Sequence, residues 1–354
     1  MARGRIEHMD LVEARAVPGV LEILTHDNTG ELAEVEFASG GSGASTSIQR
    51  LGPEISHDGQ IIAVVIADSF EAAREAAHKV KVTYAAETPS ATFGSPRLTG
   101  EDATKVSKQH DKVPNAGVAE AALAAAEVAI DVEYATPTQH HNALELFTTT
   151  CEWSDNRLTI YEPSQFVYGL KDTVAQRLAM DAEKVRVISP FVGGAFGSKG
   201  QMTPRTGLIA LAAKRLNRPV KLVPTRDQGF TIATYRAETR HHIRLGAHRD
   251  GRLVGYSHEG WEISSRPDPY VVAGVEDSAR VYAFGAVKTK VNIVHADRNT
   301  PGFMRSPPVV PTSTPLKPQW TNSPSNLVSI RSSCGGSMIP RPIRSTANRI
   351  LAGP

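Results

Sequence analysis

The chain has almost no cysteine: its 354 residues include only Cys151 and Cys334. Two thiols are too few for a disulfide framework, a four-cysteine zinc site or an iron–sulfur cluster. Any redox metal that the protein uses must therefore be brought in by another group.

Long apolar runs and a strong net charge are also missing. No stretch approaches the roughly 18 consecutive apolar residues of a membrane span, and the opening MARGRIEHMD has no apolar segment behind its charges. The formal net charge is only +2, and no run of lysine or arginine concentrates it. These absences argue against a nucleic-acid or membrane partner and predict a cytoplasmic protein.

The glycine-rich stretch FVGGAFGSKG at 191–200 lacks the spacing of the common nucleotide-binding motifs. A P-loop needs a glycine directly before its lysine and a hydroxyl residue directly after it, but here Ser198 precedes Lys199 and Gly200 follows it. The glycines also fit no register of G-x-G-x-x-G. Two interpretations stay open: a turn that packs a helix onto a sheet, or a loop whose backbone N–H groups approach an anionic or oxo group.

The hydrophobic pattern predicts an α/β fold of mixed α+β character. Residues 1–86 alternate strand, strand, helix and strand, and the helix at 69–80 begins with Ser69 as its N-cap. Residues 87–116 are rich in Pro, Ser, Gly, Lys and Asp without apolar period, which predicts a surface linker.

A second unit at 117–308 also alternates helices and strands. Asp250 and Gly251 predict a hairpin turn between its last two strands. The pattern predicts helices near the start of the unit and at 167–180 and 206–219, and strands at 146–153, 157–164, 185–189, 219–226, 241–248 and 252–260.

The end of the chain differs in kind, because no acidic residue occurs after Asp297. From Val309 onward the sequence is rich in proline and serine and shows no sustained helical or strand period. We expect residues 309–354 to be irregular and largely unfolded. Two origins stay open: translation out of frame from about residue 309, or a basic tail that recruits a partner.

His140, His141 and Glu145 form the one cluster that suggests metal ligands, because histidine and carboxylate four residues apart share a helix face. However, strand-like sequence follows at once, and no second histidine pair has ligand spacing. We therefore favour structural histidines and predict no metal-ligating side chain in this chain. No G-x-S-x-G motif is present to support hydrolase chemistry.

Four stretches in order carry a resemblance: HHNALE…CEW, YEPSQFVYGLKDTVAQRL, VGGAFGSKG and NTPGFMRSP at 299–307. Together they resemble the molybdopterin-binding large subunit of the xanthine dehydrogenase and aldehyde oxidase family, the molybdenum hydroxylases. The resemblance implies an N-terminally incomplete α/β hammerhead-like domain at 1–86 and the first part of a molybdopterin-binding domain at 117–308. It also implies a truncated subunit.

The resemblance assigns roles to five residues. Gln165 matches the glutamine whose side-chain amide donates to an oxo ligand of molybdenum. Gly194, Phe196 and Gly197 match the loop around the cofactor, where a Cβ at a glycine is expected to strike the bound group. Arg305 matches an active-site arginine that can stabilise developing negative charge.

The resemblance further implies a molybdenum–molybdopterin cofactor, for which the cytosine dinucleotide form stays open. Iron–sulfur clusters and FAD are expected on partner subunits, because this chain cannot ligate a cluster. The expected reaction is oxidation of an aldehyde, or of an N-heterocycle, with oxygen derived from water. Aldehydes are favoured because Gly200 stands where purine-oxidising members have a glutamate.

The family's catalytic glutamate lies in a downstream half that this sequence does not contain. We therefore expect the isolated chain to be inactive. The alternative from another class is a non-catalytic interaction module, or the product of a broken gene, in which the glycine loop is purely structural.

Overall fold

The computed structural model describes most of the chain before residue 314, in the ranges 1–30, 32–33, 51–103, 113–200, 204–267, 270, 274–307 and 309–313. The strands are β1 Gly4–Asp10, β2 Val20–Leu24, β3 Glu54–Ile55, β4 Val64–Ala67, β5 Lys81–Ala86, β6 Thr99–Asp102, β7 Val128–Thr136, β8 Thr149–Ser154, β9 Arg157–Tyr161, β10 Val185–Ile188, β11 Val220–Leu222, β12 Thr239–Ala247, β13 Leu253–Ser265 and β14 Ala286–Ala296. The helices are α1 Val12–Arg15, α2 Phe70–Lys79, α3 Glu120–Ala124, α4 Val167–Arg177, α5 Pro204–Leu216, α6 Arg226–Ile232, α7 Val275–Ala279 and α8 Val309–Ser313, with a 3-10 turn at Ala182–Lys184. The mixed α/β prediction is confirmed.

The N-terminal unit combines two small sheets with one amphipathic helix. The sheet orders are β3-β1-β5 and β2-β4, with antiparallel pairing throughout. The side chain of Ser69 accepts a hydrogen bond from the Ala72 N–H at 3.1 Å, so the predicted N-cap of α2 is confirmed. The strand β1 was not predicted, because its apolar residues alternate with charged ones over only a few positions.

The largest core lies around a four-stranded sheet of order β10-β9-β8-β11. The helix α5 runs through this core, and Leu208–Ala213 are buried on every face of the helix. β9 and β10 are parallel neighbours, whereas β8 pairs antiparallel with both β9 and β11. The carboxyl ends of β9 and β10 therefore lie at the same edge of the sheet.

One buried ion pair joins this sheet to α5. Arg205 lies 2.8 Å from Glu162, and both side chains are almost fully buried. Thr149 and Thr206 donate to the same carboxylate at 2.5 and 2.9 Å, so its lone pairs are satisfied.

A separate sheet has five strands, in the order β6-β14-β13-β12-β7. The predicted hairpin between β12 and β13 is confirmed: Gly251 has φ +92°, and Asp250 accepts from the Arg252 N–H at 2.9 Å. β14 runs parallel to β13 and was missed from the sequence.

The predicted surface linker 87–116 supplies part of this sheet. Thr99–Asp102 forms the edge strand β6, and Ala103 is buried against the sheet. An exposed edge strand needs no apolar period, which is why the sequence pattern did not reveal it. The division of the chain at residues 86, 116 and 308 stays a prediction.

Of the predicted irregular tail, only the start lies within the described residues. Val309–Ser313 forms the short helix α8. Positions 314–354 lie outside the described residues. Among the helices that the structure describes, none combines the length and apolarity needed to cross a membrane.

A buried carboxylate ties the first residues to the last strand. Asp297 accepts from Arg3 at 3.1 Å, from Arg266 at 2.8 Å and from the Ser90 N–H at 2.7 Å. These hydrogen bonds hold the Asp297 pKa below its usual value, although burial opposes them.

A chain of polar side chains crosses the five-stranded sheet beneath α7. Ser278 donates its hydroxyl proton to the Val275 carbonyl oxygen at 2.5 Å, so His258 Nδ1, 2.8 Å away, must be the donor to Ser278. His258 Nε2 then accepts from His241 Nδ1 at 2.9 Å, and His241 Nε2 accepts from Thr239 at 2.8 Å. This order needs a neutral His258, because a further proton on its Nε2 would face the proton on His241 Nδ1. Burial disfavours the charged form of both imidazoles.

We predict that the fold loses stability in mild acid through these two histidines. Burial lowers the His241 pKa to about 4 from 6.5, and it lowers the pKa of His258 further, aided by repulsion from His241. The unfolded chain binds the protons first, so the stabilisation is complete above about pH 6.5 and is lost as the pH falls toward about 4. For His241 the loss amounts to roughly 3 kcal/mol.

Urea unfolding between pH 4.5 and 7.5 measures this effect. The His241→Asn variant should show a flatter dependence of the free energy of unfolding on pH. The control is His242→Asn, on the opposite face of the same strand, where the imidazole pairs with Asp131 at 2.5 Å. An unchanged slope in His241→Asn would contradict the prediction.

Candidate functional site

The glycine-rich loop, residues 191–200, lies at the edge of the sheet where β9 and β10 end. The chain reaches the loop directly after β10, and the segment with Gln165 follows β9. Parallel neighbours place the residues that follow them at one edge, so the topology brings both segments together.

The loop turns sharply through three residues with left-handed backbone angles. Gly194 has φ +94°, Phe196 has φ +56° and Gly197 has φ +113°. A Cβ added to Gly197 would lie 2.3 Å from the Phe303 carbonyl oxygen, well inside van der Waals contact. The sequence prediction explained the glycines by close approach of a cofactor. At Gly197 the backbone of Phe303 already fills that place, so the fold itself requires glycine there.

Gln165 is held against the loop by three hydrogen bonds. Its backbone N–H donates to the Lys199 carbonyl oxygen at 2.8 Å. Its side-chain oxygen Oε1 accepts from the Gly197 N–H at 3.0 Å and from the Lys199 N–H at 3.3 Å. Two N–H donors identify the oxygen end of the carboxamide. The Nε2 group therefore keeps its two protons for another acceptor, on an exposed side chain.

Lys199 and Glu145 form an ion pair under the loop. The Lys199 side chain is 1% exposed, and its Nζ lies 2.6 Å from Glu145 Oε2. The same carboxylate oxygen accepts from the Gly193 N–H at 2.8 Å. Burial favours the neutral acid, but the hydrogen bonds from Lys199 and Gly193 outweigh it and lower the Glu145 pKa.

Arg305 reaches the loop from the segment after β14. Its backbone N–H donates to the Phe196 carbonyl oxygen at 3.0 Å, and its guanidinium lies 4.3 Å from the centre of the Phe196 ring. The Arg236 side chain fixes this segment by donating to the carbonyl oxygens of Met304 and Arg305. Within the described residues, no carboxylate pairs with Arg305, and both Arg305 and Phe196 are exposed.

The predicted site residues thus meet at one loop. Gln165 accepts from the N–H of Gly197, the residue directly after Phe196, and the Arg305 guanidinium stacks on the Phe196 ring. Gly194 lies beside them, where a Cβ would be 3.3 Å from the Phe196 ring. Sequence reasoning missed Glu145 as a partner of Lys199, and also Arg236, because each contact joins positions too far apart to leave a local pattern.

The histidines of the considered metal cluster have other partners. His141 is buried and donates from Nε2 to the Phe303 carbonyl oxygen at 2.6 Å. His140 packs against the rings of Phe230 and Tyr235. Across the part of the chain that the structure describes, no three His, Cys, Asp or Glu side chains come together as a metal site.

Two donors at this loop, the Gln165 amide and the Arg305 guanidinium, face solvent without a protein acceptor among the described residues. Such a pair suits a ligand rich in oxygen acceptors, such as an oxo, phosphate or carboxylate group. Large apolar side chains are also exposed in the loop and in the segments bonded to it: Leu144, Phe166, Tyr168, Phe191 and Val192.

Comparisons with known proteins agree with this architecture. Residues 1–88 match the family model described as the a/b hammerhead domain of aldehyde oxidase and xanthine dehydrogenase, and residues 101–314 match the molybdopterin cofactor-binding domain. The aldehyde oxidoreductase molybdenum-binding subunit PaoC of Escherichia coli is 33% identical over 313 residues, which are 88% of this chain and 41% of the relative. The xanthine dehydrogenase molybdenum-binding subunit of Escherichia coli is 28% identical over 292 residues, or 77% of this chain and 37% of the relative.

Among solved structures, quinoline 2-oxidoreductase from Pseudomonas putida 86 has the same fold with a TM-score of 0.73 at 23% identity, covering 86% of this chain and 41% of that protein. This chain thus spans about two fifths of the length of the relatives it matches. The matched domains, taken together, include nearly all of the described residues. The chain therefore belongs to the aldehyde oxidase and xanthine dehydrogenase family, as a molybdopterin cofactor-binding protein.

Proposed function

We propose that the glycine loop, Gln165 and Arg305 form one wall of the molybdenum site in a hydroxylase that oxidises aldehydes. The observation that carries this proposal is the anchoring of Gln165: two loop N–H groups hold its oxygen, which leaves its NH₂ group directed away from the loop. An oxo ligand is an acceptor that such a donor suits.

The residues present fit a molybdenum–molybdopterin group on the chemistry of their donors. Gln165 and Arg305 offer unpaired protons on one exposed surface, and neither needs the other as a partner. When bound, the cofactor would supply the two-electron redox chemistry and the transfer of oxygen derived from water. Gln165 would orient the group by donating to an oxo ligand, and Phe196 and Gly197 would line it.

Arg305 would act on the substrate side of the same wall. Its guanidinium stays charged at any working pH, and Phe196 supports it from one face. A fixed cation beside a carbonyl group stabilises negative charge that develops on the oxygen. Hydrophobic side chains around the loop would exclude water from the bound aldehyde.

The choice of aldehyde over purine rests on Gly200, which follows Lys199 and offers no carboxylate to orient a heterocycle. The relative at 33% identity carries an aldehyde oxidoreductase name, which supports the same choice. The product would be the carboxylic acid.

Electron transfer would require partners. A chain with two cysteines cannot hold an iron–sulfur cluster, so an iron–sulfur subunit and an FAD subunit would take the electrons from the cofactor. The proposal also places the complex in the cytoplasm and leaves the nucleotide form of the pterin open.

We predict that the isolated chain retains molybdenum at far below one atom per chain and does not oxidise aldehydes. Its donors lie on an exposed surface, and one wall does not enclose a cofactor. Metal analysis by mass spectrometry, pterin content after oxidative release and an assay with a dye acceptor measure this. Stoichiometric molybdenum together with aldehyde turnover would contradict it.

We predict that Gln165→Ala lowers activity in a chimera in which residues 1–307 replace the matching segment of the Escherichia coli aldehyde oxidoreductase subunit. The loss of one preorganised donor is expected to reduce kcat/KM for an aldehyde by about 100-fold, with a smaller change in molybdenum content. The matched control is Gln176→Ala, at an exposed position of α4. Equal activities of the two variants would rule out the proposed role of Gln165.

A second candidate, a non-catalytic interaction module, draws support from Gly197. Contact with the Phe303 backbone is enough to require glycine at this position. The sequence of the loop therefore has a structural explanation that needs no cofactor. The chimera separates the two functions, because a module predicts no activity that depends on Gln165.

A further inference from the structure

We infer that Glu145 and Lys199 are positioning residues, which hold the glycine loop in the shape that aims the Gln165 carboxamide. What the carboxamide binds rests on the proposed function. The positioning itself concerns only contacts within this chain.

One carboxylate oxygen joins the two ends of the loop. Glu145 Oε2 lies 2.8 Å from the Gly193 N–H and 2.6 Å from Lys199 Nζ. The loop between these residues contains the left-handed turn at Phe196 and Gly197. A bridge between the two ends limits how far this turn can open.

Glu145 is itself fixed from two sides. Its backbone N–H donates to the Gly193 carbonyl oxygen at 3.1 Å. The Arg226 guanidinium donates to the carbonyl oxygens of Ala143 and Leu144, at 2.5 and 2.7 Å. The carboxylate is therefore presented by a held segment rather than by a free side chain.

Lys199 passes this constraint to Gln165. The side chain of Lys199 points under the loop to Glu145, whereas its backbone N–H and carbonyl oxygen both bond to Gln165. A change in the position of Lys199 must therefore move or break the bonds that hold Oε1. Since Oε1 and Nε2 belong to one planar group, the direction of the Nε2 protons follows.

Stability alone is a poor explanation of this pair. Burying a lysine costs desolvation free energy that one ion pair only about offsets. The Arg205–Glu162 pair offers a contrast, because it lies in the main core and two threonines satisfy it. The Glu145–Lys199 pair instead bonds to loop backbone, so its main effect is on loop geometry.

The experiment uses the whole chain without cofactor, labelled with nitrogen-15 in glycine and glutamine. In Lys199→Met we expect shifted signals for Gly193, Gly197 and the Gln165 side-chain NH₂ group, and amide exchange at Gly197 faster by about 10-fold. Lys199→Arg should restore most of the wild-type signals. The matched control is Lys171→Met on α4. This substitution also removes a paired lysine, whose Nζ lies 3.1 Å from a carboxylate oxygen of Glu183.

A titration of the wild-type chain tests the same inference without a substitution, in case Lys199→Met does not fold. Protonating Glu145 should move the Gly193, Gly197 and Gln165 signals together, with one midpoint below the ordinary value for glutamate. Independent midpoints, or a folded Lys199→Met with the loop signals of the control, would overturn the inference. Neither result depends on cofactor binding, so a failure here is distinct from a failure of the proposed function, which the chimera tests.

Discussion

The shape of the candidate site depends on the Gln165 side-chain oxygen, which accepts hydrogen bonds from two backbone N–H groups of the glycine loop. Left-handed angles at Gly194, Phe196 and Gly197 are not stabilised by any repeating backbone pattern. Contacts from other segments must therefore hold them, and Gln165, Glu145 and the Phe303 backbone do so. The loop is an ordered feature of the tertiary structure rather than a flexible connection.

Strand order explains why these segments meet. β9 and β10 are the parallel pair of the four-stranded sheet, and the residues after them leave the sheet at one edge. The Arg305 segment arrives from the other sheet, after β14, and Arg236 and His141 fix its carbonyl groups. The site thus lies where two sheets contribute their ends, a common position for binding sites in α/β proteins.

Much of the fold could be predicted from the sequence where the signal is local. The Ser69 N-cap, the Asp250–Gly251 hairpin and the alternating pattern of β12 depend on neighbouring residues, and the structure agrees with each. The edge strand β6 could not be predicted, because pairing on one side leaves its side chains exposed and without a period. β14 was missed although it is long and Gly285 directly precedes it.

The candidate site was predictable only in part. Gln165, Phe196, Gly197 and Arg305 were found through a resemblance, and the structure brings them together. The Glu145–Lys199 pair was not found, since its members are separated by 54 positions and no local pattern links them. The Phe303 backbone gives Gly197 a second reason to be glycine, and this reason was not found because steric exclusion by a backbone from another segment cannot be seen in sequence.

The contact between Arg3 and Asp297 joins residues that are 294 positions apart. Chains emerge from the ribosome in order, so the first unit waits for almost the whole described chain before this bond can form. Closing such a long span costs loop entropy that local contacts do not repay. The Arg3–Asp297 bond is therefore a late addition to a strand that β5 can already hold by backbone pairing.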